Sequence, residues 1–189
     1  GEFGSPGGTR HVEMFSRLRD WSYLIAVGSH ATVAAAPTGS KIGYLAVPTV
    51  PFTGNGVDRI ANWASYAASA VSRLAFGRRP DVVYASSPHL LAGLAGFLLS
   101  RRWRVPFVLE VRDLWPQVLV DMGQMQATSP VYRALESLET FLYSKADRIV
   151  VMAEGTRDYL VAKGVNTDNI VFIPNAADPD SFTVAAPKA

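Results

Sequence analysis

The chain contains no cysteine among its 189 residues. That absence removes a disulfide scaffold, a zinc–thiolate centre and a cysteine nucleophile together. Charge is scarce too: Asp, Glu, Lys and Arg make up 18%, below the roughly 25% usual for soluble domains. Neither sign dominates, with 18 Lys plus Arg against 16 Asp plus Glu and a net charge of +2. So small an excess gives no ground for a nucleic-acid partner. Long apolar runs are missing as well. The most apolar stretch, Leu90 to Leu99, is far shorter than the about 20 residues a membrane-crossing helix needs. The opening GEFGSPGGTR holds no apolar core of a secretory signal. Its first residues read as a translated cloning site or as native loop. The lack of cysteine says little about compartment; the expected location is the cytoplasm or the inner face of the membrane. What is abundant is apolar: 49% hydrophobic residues exclude disorder, and the length suits one buried core.

Along the chain, apolar runs alternate with helical patterns, with no internal repeat. Val12, Phe15 and Leu18 predict a helix over 9–19, and 23–27 and 42–47 read as strands. Ile60, Ala64, Ala67, Val71 and Leu74 predict one helix face, closed by Gly77 at its C-terminus. DVVYA (81–85), PFVLEV (106–111), DRIVVM (147–152) and NIVFI (169–173) are apolar strands without alternation, the pattern of strands covered on both faces. Helices between them are predicted from His89, from Ser129-Pro130 with Val131, Leu135, Leu138 and Leu142 inward, and from Glu154 to Gly164. Strand and helix in alternation predict an α/β fold with a doubly wound, mainly parallel, Rossmann-like sheet.

In such sheets ligands sit beyond the carboxyl ends of the strands. Polar residues gather at that rim: Ser86, Ser87 and His89 after one strand, Arg112, Asp113 and Trp115 after the next, then Glu154 and Asn175. Each has two readings. His89 either opens a helix or acts on a ligand. Arg112 and Asp113 either form a local ion pair or join Glu110 in a charged cluster of the kind that holds perturbed titrating groups. Trp115 is packing or a contact. Gly7 and Gly8 are a flexible lead-in or a phosphate-facing turn at a helix start. Arg101, Arg102, Trp103 and Arg104 are a solvated helix end or a touch-point for an anionic membrane surface.

The runs RPDVVYASSPHLLAG, VPFVLEVRDLWPQ, ADRIVVMAEGTRDYLVAKGV and NIVFIPNAADPDSF, from Arg79 to Phe182, resemble the N-terminal half of family 4 glycosyltransferases, which have the GT-B fold. EVRDLWP and IPNAADPDSF carry most of the likeness, and RDLWP resembles bacterial enzymes that build surface polysaccharides and glycolipids. The resemblance implies a retaining transfer of sugar from a nucleotide-diphosphate sugar to an acceptor hydroxyl on a glycan or lipid-linked substrate. It implies no obligatory metal and no cofactor beyond the donor. Carried over, Gly7 and Gly8 would face the donor diphosphate, and Arg112 and Asp113 would line the cleft beside the reacting sugar. Ser87 and His89 would contribute to the acceptor wall. Asp113, Arg112 and His89 are the expected catalytic residues, and Ser86, Ser87, Glu110, Trp115, Glu154 and Asn175 the expected substrate contacts.

Many relatives have histidine where this chain has Arg112. The family's first strand and its C-terminal domain have no counterpart in these 189 residues, so the expected layout is 1–8 as tag or glycine loop, 9–182 as acceptor-side domain and 183–189 as tail. The chain alone is then expected to be inactive, because half a cleft does not hold donor and acceptor together. Alternatives are a sugar-nucleotide 2-epimerase of the same fold, or a non-catalytic module binding glycan, lipid or protein. A nicotinamide enzyme is disfavoured by the lack of a full GxGxxG after a strand.

Overall fold

A computed structural model describes residues 10–29, 39–53 and 57–175. They fall into two compact units, the first holding 10–47 with Asn175 and the second 48–174. The first unit has a short helix α1 (Arg10–Ser16) and two parallel strands, β1 (Tyr23–Gly28) and β2 (Ile42–Val47), paired from Tyr23↔Ile42 to Gly28↔Val47. Val12, Val27, Ile42 and Val47 are its buried apolar residues, and Phe15 stacks on Tyr23 at 4.6 Å.

The second unit begins with α2 (Val57–Leu74) and continues β3 (Val83–Ser87), α3 (Leu90–Trp103), β4 (Phe107–Val111), α4 (Gln117–Asp121), α5 (Pro130–Lys145), β5 (Arg148–Val151), α6 (Glu154–Ala162) and β6 (Ile170–Phe172). Its four strands are all parallel, in the order β3-β4-β5-β6. The expected alternation of strand and helix is therefore present, with β1 and β2 as a separate two-stranded sheet. Strands laid down in sequential order send their crossover helices to one face, and the packing agrees. Ala85, Phe107, Leu109, Val111, Ile149 and Val151 point to the core beneath α3 and α5. Two glycines let α3 lie close: a Cβ on Gly93 would meet Leu142 and Leu109 at 3.1 and 3.2 Å, and one on Gly96 would collide with Ala85.

The helix ends follow local chemistry. Ser129 accepts the Tyr132 N–H at 3.1 Å, with Pro130 in the first turn, at the start of α5. Gly164 takes a left-handed φ of 85° after α6, where a Cβ would be strained. Four expectations need correction. The helix predicted over 9–19 ends at Ser16, which leaves Leu18 exposed. Ile60 and Ala64 are exposed, because α2 turns Trp63 and Ala70 inward beside the expected Ala67, Val71 and Leu74. Val131 is exposed and Tyr132 takes its place in the core. The strand expected to end at Ala85 runs on to Ser87, since Ser86 and Ser87 pair with Glu110 and Val111.

Candidate functional site

That extra length of β3 sets the first part of the rim. Ser86 and Glu110 are neighbours on the sheet face away from the α3 core. The Glu110 carboxylate is wholly buried; it accepts hydrogen bonds from the Tyr84 hydroxyl and from Ser86 Oγ at 3.0 Å. Ser87, on the opposite face, donates to the Glu110 carbonyl at 2.9 Å. Glu110 thus lies beneath the lip, where its hydroxyl partners offset the cost of burying a polar group.

His89 sits where β3 gives way to α3. Its Nδ1 accepts the Ala92 N–H at 3.2 Å, making it the cap of that helix. Burial, with the Arg59 guanidinium nearby, lowers the imidazole to about 4. The ring is therefore neutral at pH 7. With Nδ1 used as acceptor, the proton sits on Nε2, which offers a donor. The ring stacks on Trp63 at 4.8 Å, and Tyr66 meets it edge-on at 6.2 Å. Trp115 packs edge-on against Trp63 at 5.3 Å and donates Nε1–H to the Pro88 carbonyl at 2.9 Å. Arg59 lies 5.5 Å from the ring centres of both Phe52 and Trp63. The segment carrying Phe52 is tied along α2 by Val50 N–H to Ser65 Oγ at 2.9 Å, Asn62 Nδ2 to the Val50 carbonyl at 2.6 Å, and Thr53 N–H to Asp58 at 2.8 Å.

Arg112 and Asp113 come directly after β4. Both are exposed, and among the described residues neither side chain has an ion-pair or hydrogen-bond partner. The expected charged cluster comes apart: Glu110 points into the protein, and the two residues after it point to solvent. Glu154 is exposed in the first turn of α6, where a carboxylate also favours the helix dipole.

The sheet thus gathers Ser86, Ser87, His89, Glu110, Arg112, Asp113, Trp115 and Glu154 at the carboxyl ends of β3, β4 and β5. Asn175 belongs to the first unit, accepting from Arg10 at 3.5 Å. Gly7 and Gly8 lie outside the described residues. The structure adds Arg59, Trp63, Tyr66 and Tyr84, which the sequence pattern does not single out. Arg59, Trp63 and Tyr66 have helical spacing, but the aliphatic positions beside them favour another face of α2. Among the described residues, no group of three or more His, Asp or Glu is placed to hold a metal.

A family model described as the glycosyl transferase 4-like domain matches residues 10–176, most of the chain. The chain belongs to that family. Over 108 residues it is 34% identical to the probable glycosyltransferase WbjE of Pseudomonas aeruginosa, a match covering 57% of this chain and 27% of that protein. By structure it is similar to Anabaena HepE solved in complex with UDP and glucose (TM-score 0.54, 16% identity) and with UDP-glucose (TM-score 0.52, 17% identity). Each covers 94% of this chain and 43% of HepE. At that identity the likeness to HepE is one of fold, the GT-B half that the resemblance implied. The chain spans less than half the length of these relatives.

Proposed function

We propose that this glycosyl transferase 4-like domain forms the acceptor side of a retaining transferase that moves sugar from a nucleotide-diphosphate sugar to a polysaccharide or glycolipid acceptor. The observation that carries the reading is the pair Arg112 and Asp113, exposed and without a side-chain partner among the described residues, at the same carboxyl lip of a parallel sheet as the buried, neutral His89. The bound UDP and UDP-glucose of HepE support the donor class.

In the reaction, the acceptor oxygen bonds to the anomeric carbon as the bond to the diphosphate breaks, and negative charge moves onto the leaving diphosphate. A guanidinium is suited to that charge, which is the part assigned to Arg112. The Asp113 carboxylate orients the acceptor hydroxyl by accepting a hydrogen bond from it, and the hydroxyl proton passes to an oxygen of the departing diphosphate as the new C–O bond forms. His89 donates Nε2–H to a substrate oxygen, with Ser86, Ser87, Trp115 and Glu154 as further contacts. No metal enters, and the donor is the sole small-molecule requirement. The matched relatives are more than twice as long, so residues outside this chain complete the cleft and the 189-residue chain alone shows negligible transfer.

In the whole gene product, Arg112→Ala and Asp113→Asn should each lower kcat about a hundredfold while leaving the thermal midpoint unchanged, because neither side chain bonds to another of the described residues. Transfer measured with labelled UDP- and GDP-sugars should require an added acceptor. Sugar isomerisation without acceptor, or full activity in both variants, would overturn the assignment.

A further inference from the structure

The end of the second unit opposite the lip carries a different surface. Arg78 and Arg79 follow α2, and Arg101, Arg102 and Arg104 close α3. Arg79 joins the two groups by donating to the carbonyls of Trp103 and Arg104 at 3.1 and 3.4 Å. Beside them a cleft of about 330 Å³ is floored by Phe97, Phe107 and Phe141, with Arg101 and Lys145 on its walls. Arg148 continues the cations past Asp147. Seven of the chain's 18 basic side chains thus sit at one end, and Asp81, Asp147 and Asp168 are acids at the same end.

Arginines at the end of a helix are explained in part by the helix dipole. That does not account for the apolar side chains set among them. Phe76 is 84% exposed, two residues before Arg78; Leu98 is 45% and Phe141 38% exposed. Arg102 also lies 4.7 Å from the Trp103 ring centre. Large apolar groups between cations gain nothing from a purely ionic partner. They gain from one that offers negative charge and an apolar interior in the same plane, which is the composition of an anionic lipid surface.

We propose that this strand-N-terminal end docks the domain on anionic phospholipid, with Phe76 entering the headgroup layer, the arginines on phosphates and the Phe97–Phe141 cleft taking apolar lipid substituents. Strands of five residues put the lip about 17 Å away, clear of the lipid. Docking does not depend on which sugar is moved, so its failure would leave the transferase reading standing.

The test is co-sedimentation of the full chain with phosphatidylcholine vesicles, with and without about one-third phosphatidylglycerol. Binding should need the anionic lipid and weaken as NaCl rises from about 0.05 to about 0.5 M. The double variant Arg78→Glu/Arg101→Glu should bind at least about tenfold more weakly, and Phe76→Ser should also weaken binding. Arg157→Glu, on α6 away from this end, supplies the charge control. Circular dichroism verifies that each variant is folded. Equal binding to both vesicle types, an equal loss in Arg157→Glu, or binding to polyuridylate with none to the anionic vesicles would overturn the proposal.

Discussion

His89 joins two demands in one side chain. As a helix cap it must keep Nδ1 unprotonated to accept the Ala92 N–H, and as a buried ring against Trp63 it must stay uncharged. Its folded value of about 4 lies below its ordinary 6.5 in an unfolded chain. Between those values the unfolded chain binds the extra proton, so stability falls as pH drops through that window. Urea unfolding at stepped pH should show the advantage of wild type over His89→Asn shrinking by up to about 3 kcal/mol from pH 6.5 to 4. At pH 7, His89→Ala should be less stable than His89→Asn by about 1 kcal/mol, because asparagine also caps. The serine hydroxyls on either side have a related part: Ser86 and Ser87 both bond to Glu110, so the polar residues nearest the lip also hold β3 to β4.

At the scale of elements, the approach of α3 to the sheet is set by what its glycines lack. Gly96→Ala improves helix propensity yet drives a methyl into Ala85 and Phe107, and it should cost about 1–3 kcal/mol. Gly155, in α6, has open space where a Cβ would go, so Gly155→Ala should gain about 0.5–1 kcal/mol. Thermal unfolding of the two variants reads both signs. The α5–α6 pair is held differently. Glu139, wholly buried in α5, accepts from the Tyr143 hydroxyl at 2.9 Å and the Tyr159 hydroxyl at 3.1 Å, and pairs with Lys163 at 3.3 Å. Burial pushes its carboxyl above the ordinary range, against the pull of Tyr143 and Lys163. A glutamate on an amphipathic helix reads as solvent-facing in the sequence, and Tyr143 of its own helix together with Tyr159 and Lys163 offsets the cost of burying it.

Over the whole molecule the two units differ in how their strands are supported. β4 and β5 are central strands over a core that includes Leu109, Ile149 and Val151, whereas β1 and β2 form a sheet of two. Two strands alone are marginal in water. Hydrogen exchange should therefore find the slowest amides at Leu109, Ile149 and Val151 and faster exchange along β1 and β2; equal protection in both units would contradict this. The second unit also separates its chemistry by end, with the polar lip at the carboxyl ends of the strands and the arginine-rich surface at their amino ends. No described helix is long and apolar enough to cross a membrane, so the lipid contact proposed here is a surface one.

The elements and their class were legible in local pattern. Apolar runs such as PFVLEV and DRIVVM can be stable only as covered strands, and the serine–proline start of α5 and Gly164 after α6 are local signals that need no partner. Chain order alone also put His89, Arg112 and Asp113 beyond strand ends, because a residue just past a strand must leave the sheet at its carboxyl edge. Tertiary structure decided which way side chains point and what they meet. A two-residue extension of β3 turned Ser86 toward Glu110, a small rotation of α2 exchanged Ile60 for Trp63, and Glu110 went inward while Arg112 and Asp113 stayed exposed. Periodicity constrains spacing along one element, whereas the direction of burial depends on the surfaces that other elements bring.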